Sequence, residues 1–269
     1  MLGRIRYVLV CFFLLAVFVR APAGAETKLD LALVIAVDVS SSMVPAEQEL
    51  QRSGFVEAFR SPLVHKAIQK GVYGRIAVAY VEWSGADDQV VLVSWTVLDG
   101  PDSAKSFAKT LARKPMHRGG LTSISGAIGF SVRLFADLED EPARRVIDIS
   151  GDGPNNDGRK VAHARDLAVA EGITINGLPI MIKGPVGAWD MVDLDVYYRD
   201  CVIGGHGSFL LPLRQADQFP AVIKTKIMRE IAGTGGGAPL IVPTESGADC
   251  LWGEKRRREE EALGGEGSP

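Results

Sequence analysis

Asp38-Val39-Ser40-Ser41-Ser42 sets one carboxylate and two hydroxyls at alternate positions of a short segment, so that all three can converge on one point. Further along, Thr122 follows Gly120-Leu121, and Asp152 stands between Gly151 and Gly153. Every one of these side chains offers oxygen. A hard cation such as Mg²⁺ takes oxygen ligands in octahedral geometry and keeps some waters; three hydroxyls and two carboxylates meet that demand with a position left open. Mn²⁺ or Ca²⁺ would accept the same donors. On its own, Asp-x-Ser-x-Ser arises too readily by chance to carry the assignment, and Ser42 could instead cap a following helix.

Other chemistries fit less well. Ser40 or Ser42 as a nucleophile needs a general base and an oxyanion site; the Gly-x-Ser-x-Gly elbow is absent and nothing places a histidine nearby. His65, His117, His163 and His206 have no metal-type spacing. A phosphotransfer role for Asp38 would ask for an acid two residues on, where Ser40 stands. Asp148 is expected to be a paired structural carboxylate, with an outer role at the cation as the alternative. Asp157 is expected near a helix N-terminus, and Trp83 in the core beside Glu82, with a place on the rim of a binding surface as the alternative.

The elements that must position these residues can be read from hydrophobic patterning. Residues 29–37 (LDLALVIAV) are nearly all apolar, as in a strand buried on both faces of a parallel sheet. Asp38 follows that strand directly, and Pro45 begins a helix with an apolar face at Leu50, Phe55, Val56 and Phe59. Residues 75–83 and 90–97 read as strands joined by a connection too short for a parallel return, hence an antiparallel hairpin. Helices are expected at 103–113, 125–138, 159–171 and 215–232, and strands at 145–150, 173–180 and 208–212. This alternation predicts a three-layer α/β domain: a mostly parallel sheet with one antiparallel edge hairpin and helices on both faces. The three oxygen-bearing loops then meet at the carboxyl ends of strands, where ligands gather in open α/β sheets.

Asp38, Ser40 and Ser42, then Thr122, then Asp152 resemble the five elements of the metal-ion-dependent adhesion site (MIDAS) of von Willebrand factor type A (vWA) domains. The resemblance implies a Rossmann-like vWA fold. It also implies that the serines and threonine touch the metal, that the aspartates act directly or through water, and that a partner's carboxylate completes the shell. More narrowly, Glu82-Trp83-Ser84-Gly85, Thr122-Ser123-Ile124-Ser125-Gly126-Ala127-Ile128, Ser150-Gly151-Asp152-Gly153-Pro154-Asn155-Asn156 and Tyr197-Tyr198-Arg199-Asp200-Cys201-Val202-Ile203-Gly204-Gly205 resemble a family of secreted bacterial vWA-like proteins. That likeness spans residues 29–232 and carries no activity. One departure is Leu121, which separates Gly120 from Thr122 where many vWA domains have Gly-Gly-Thr.

At the N-terminus, Arg4 and Arg6 precede an apolar run over residues 7–19 and a small-x-small site at Ala23-Gly24-Ala25. Residues 1–25 are thus expected to be a secretory signal, with an uncleaved anchor as the other reading. Cleavage removes three arginines and no acids, leaving 27 basic residues against 33 acidic ones. A mildly acidic secreted or periplasmic protein without a membrane span is no candidate for nucleic acid. Cys201 and Cys250 then remain, either bridged or as two free thiols. Residues 26–232 are expected to form the domain, and the Gly-, Pro- and charge-rich residues 233–269 a disordered tail.

These features predict a non-enzymatic, metal-dependent module for protein binding, adhesion or envelope assembly. The alternatives are a metal-dependent hydrolase, for example a phosphoesterase, using the same cation, and a scaffold with a vacant site.

Overall fold

Leu31–Asp38 (β1) is buried at every position and lies at the centre of a five-stranded sheet. The computed structural model describes residues 27–183, 191–233 and 247–265, so the expected signal over residues 1–25 falls outside the described residues. Four more sheet strands follow in chain order: Ile76–Trp83 (β2), Gln89–Leu98 (β3), Arg145–Gly151 (β4) and Ile173–Pro179 (β5). The sheet order is β3-β2-β1-β4-β5; β3 runs antiparallel to β2 and all other pairings are parallel.

The helices are Pro45–Arg60 (α1), Pro62–Gln69 (α2), Pro101–Ala112 (α3), Ile124–Leu134 (α4), Val161–Ala170 (α5), Leu194–Tyr197 (α6), Phe219–Ala232 (α7) and Trp252–Gly265 (α8). Alternation along β1 divides its side chains between two cores. Leu31, Leu33, Ile35 and Val37 pack with Phe55 and Phe59 of α1 and Ile223 and Ile227 of α7. On the other face, Ala32, Val34 and Ala36 pack with Ile124 and Ile128 of α4 and Ala164 and Ala168 of α5. Each large apolar side chain removed from water contributes about 1.5–3 kcal/mol, so both faces of the strand that ends in Asp38 are firmly held. The predicted three-layer architecture, hairpin included, is the one observed.

Strand polarity now fixes the site edge. Because β1, β2 and β4 are parallel, their carboxyl ends at Asp38, Trp83 and Gly151 lie along one edge. The chain leaves β1 for β2 on one side and reaches β4 on the other, which makes that edge a topological switch point.

Three local expectations need correction. Residues 208–212 make one isolated bridge, Leu210 with Gly177, instead of a strand, and a second, Leu213 with Ile180, follows directly; Pro212 between them has no N–H to continue a ladder. Helix α2 was not foreseen, although Ser61 accepts from Leu63 N at 3.4 Å and Pro62 opens the helix, both ordinary start signals. Residues 247–265, expected within a disordered tail, dock on the domain and include α8. A Cys201–Cys250 disulfide ties this segment down, and the charge block forms pairs along the helix such as Arg257–Glu261 at 2.9 Å. Composition alone does not register a covalent tether.

Candidate metal centre

β1 ends at Asp38, whose Oδ1 accepts the backbone N–H of Ser40 at 2.7 Å and turns the chain sharply. Val39 and Met43 are buried in the core, which leaves Ser40 and Ser42 with their hydroxyls 3.0 Å apart. Ser42 Oγ donates to Asp152 Oδ1 at 2.6 Å. Its single proton is therefore committed, and Ser40 must be the donor to Ser42. The capping alternative for Ser42 fails: α1 begins after Val44, whose N–H is taken by Glu47 Oε2 at 3.1 Å.

The second loop is clasped to the first through backbone groups. Gly119 N donates to Val39 O at 3.0 Å, and Ser41 Oγ donates to Gly120 O at 2.7 Å. Leu121, the departure from the vWA pattern, sits exposed at the rim. Thr122 is buried, and its backbone exchanges two hydrogen bonds with Asn156, 2.9 Å to Asn156 Oδ1 and 2.8 Å from Asn156 N. The third loop thus holds the second. Four predicted residues, Asp38, Ser40, Ser42 and Asp152, join in one hydrogen-bonded chain; Thr122 is held by its backbone to Asn156 of the third loop and is not part of that chain.

Gly151 makes this proximity sterically feasible. A Cβ there would lie 2.7 Å from Asp38 Oδ2 and 3.0 Å from Tyr198 Oη. Both of those oxygens are buried without a hydrogen-bond partner. Burial, and then the Asp152 charge, push the Asp38 carboxyl up to about 8, against hydrogen bonding from Ser40. Burial also raises Asp152, with Ser42 and Lys183 opposing it. Tyr198 is pushed well above the usual phenol range by burial and by the Asp38 charge.

An orphaned buried carboxylate oxygen next to two hydroxyls and a second acid is what a hard divalent cation would satisfy, so the donors present fit such an ion. Among the described residues no three His, Cys, Asp or Glu side chains gather to hold a metal by themselves.

Neighbouring polar residues are mostly structural. Asp148 pairs with buried Lys226 at 2.9 Å, which fits the structural reading. Asp157 does not begin a helix: its carboxylate takes Ala86 N at 2.8 Å and Arg257 at 3.2 Å. Trp83 is core, and buried Glu82 pairs with Arg52 and accepts His117 N at 3.0 Å. Ser84, Asp88 and His117 cluster, but Asp88 bridges the other two, taking His117 Nε2 at 2.8 Å and the Ser84 hydroxyl. His117 therefore meets Asp88, not the Ser84 hydroxyl, so the three do not form the serine–histidine–aspartate order of a hydrolase triad.

Sequence reasoning missed Lys183, whose ammonium reaches Asp152 Oδ2 at 3.3 Å and Glu47 Oε2 at 2.7 Å. Its place just beyond β5, at the same sheet edge, was the available signal.

Fold and edge together define the class: this is a vWA-like α/β domain. The chain belongs to the family described as protein of unknown function (DUF1194), whose model matches residues 28–235. No curated protein matches it by sequence. Among similar solved structures is proximal thread matrix protein 1 from the mussel byssus, at 15% identity and a TM-score of 0.57, covering 77% of this chain and 49% of that one. A von Willebrand factor type A protein from Catenulispora acidiphila aligns at 12% identity and a TM-score of 0.53, over 76% of this chain and 43% of its own. The pilus adhesin SpaC from Lactobacillus rhamnosus GG aligns at 12% identity and a TM-score of 0.56, over 76% of this chain and 31% of its own. Such likeness shows the fold, and the chain spans less than half the length of each of these structures.

Proposed function

We propose that this chain is a secreted or periplasmic recognition module that binds a protein partner through a divalent cation, Mg²⁺ first, held by Asp38, Ser40, Ser42, Thr122 and Asp152. The observation that carries this reading is Asp38 Oδ2, an acceptor buried without a partner beside the Ser40–Ser42–Asp152 chain. The cation would supply a positive centre with an open position, and an acidic side chain of the partner would fill it. Sharing a fold with a pilus adhesin and a byssus matrix protein accords with a binding role. Among the described residues no helix is long and apolar enough to cross a membrane.

The test is thermal unfolding during titration with Mg²⁺ or Mn²⁺. A cation that binds only the native state raises the midpoint, by about 2.7 kcal/mol of stability at a hundred times Kd. An Asp38→Ala, Asp152→Ala variant should show no rise; an equal response in wild type and variant overturns the metal assignment. Phosphoester turnover that vanishes with Asp38→Ala would overturn the binding-only reading.

A further inference from the structure

Asp152 has both carboxylate oxygens engaged, one by the Ser42 hydroxyl at 2.6 Å and the other by the Lys183 ammonium at 3.3 Å. Lys183 also donates to the carbonyl of Ser42 and pairs with Glu47 at 2.7 Å. A tethered cation therefore already stands at the carboxylate that a divalent ion would use. Resting on the metal-site reading above, we propose that Lys183 is an internal counter-ion that competes with the divalent cation for Asp152 and so sets the concentration at which the site loads.

Three features support the exchange. Glu47 is the nearer of the two acids, and Val44 N fixes its carboxylate in the first turn of α1, so Lys183 keeps a partner when it leaves Asp152. The lysine side chain is about one third exposed, so it is not locked in the core. It also borders a cavity of about 240 Å³, lined in part by Met181, Met191, Val192 and Arg214, which gives its stem room to move. With the metal bound, ammonium and divalent ion on one carboxylate repel at close range, where Coulomb energies are largest. Without metal, the same ammonium offsets the charge of two neighbouring acids. Lys183 thus favours the metal-free state over the loaded one, and a group with differential affinity for two states shifts their balance.

The experiment is calorimetric titration of Mn²⁺ into the mature wild-type chain, Lys183→Gln, Lys183→Arg, and Asp152→Ala in both wild-type and Lys183→Gln backgrounds. Removing the charge should tighten binding by roughly tenfold, a conservative discount on the close-range repulsion. Lys183→Arg should stay near wild type, and Asp152→Ala should abolish binding in both backgrounds. Metal-free Lys183→Gln should also melt below wild type, with the larger metal-induced rise. If wild type binds and Asp152→Ala does not, yet Lys183→Gln binds no tighter, the lysine inference falls and the metal site stands. Binding by Lys183→Gln alone supports the inference most directly. Absence of binding in every protein sinks both readings. Lys183→Met provides the same comparison should the Gln variant fold poorly.

Discussion

Ser42 and Asp152, 110 residues apart in sequence, are joined by a hydrogen bond of 2.6 Å from the hydroxyl to Oδ1. This bond ties the loop after β1 to the loop after β4 and aligns two donors before any cation arrives. This bond is exposed to solvent, so its net contribution is about 0.5–1.5 kcal/mol. Ser42→Ala should therefore lower metal-free stability by that order in urea denaturation, and weaken Mn²⁺ binding as well. Unchanged Mn²⁺ affinity would remove Ser42 from the ligand set.

Gly151 offers a steric test of the same site. Alanine there would place its Cβ 2.7 Å from Asp38 Oδ2, inside van der Waals contact, so the carboxylate or the strand end must shift. Overpacking of this kind costs about 1–3 kcal/mol. Gly151→Ala should lose that stability along with most of the metal-induced rise in Tm. Gly153→Ala is the control, since its Cβ would meet nothing within 4 Å. Equal behaviour of the two variants in thermal unfolding would show that the close approach at Gly151 has no bearing on the site.

Much of this arrangement was legible in the sequence. The apolar run over residues 31–37 into Asp38, and the Val146-Ile147 and Ile149 pattern leading to Gly151-Asp152, state that both acids lie at strand ends; parallel pairing then brings them to one edge. The pairing of Lys183 with Glu47 and Asp152 was not legible, because an ion pair between residues on different elements leaves no local spacing to read; only the position of Lys183 just beyond β5 pointed to the site edge. The docking of α8 was hidden for a different reason. Its residues look solvated by composition, and what orders them is a bond to Cys201 and contacts with Asn155 and Asp157. Asp157 misled in the same way: proximity to α5 suggested a helix start, while its carboxylate serves Ala86 and Arg257.

Lys226 should matter more to stability than to binding. It is buried between Asp148 at 2.9 Å and Glu230 at 2.8 Å, and Glu230 also accepts from Asn176 at 2.6 Å. Lys226→Met leaves two buried carboxylates facing one another, and breaking a buried pair from one side costs about 3–5 kcal/mol. Combining it with Asp148→Asn should recover part of that loss in urea denaturation, because one of the stranded charges is removed. The metal-induced Tm rise should survive in the double variant. Its loss would place Asp148 at the cation instead.

The disulfide makes the last prediction. Cys201 and Cys250 are 49 residues apart, and closing such a loop restricts the unfolded chain by about 4 kcal/mol in the entropy model. Reduction should lower Tm accordingly, and Cys250→Ser should do the same. The loss should not spread evenly. α8 reaches the site loops through Glu254, which accepts from Asn155 Nδ2 at 2.9 Å; Asn155 Oδ1 in turn accepts Ser125 N at 2.9 Å at the start of α4. The adjoining Asn156 holds the Thr122 backbone. Hydrogen exchange in Cys250→Ser should therefore quicken in α8, around Asn155, and at Thr122 and Ser125, while β1 and β4 stay protected by their two-sided burial. Exchange that quickens in α8 alone would show that the helix is stapled to the domain without bracing the metal loops.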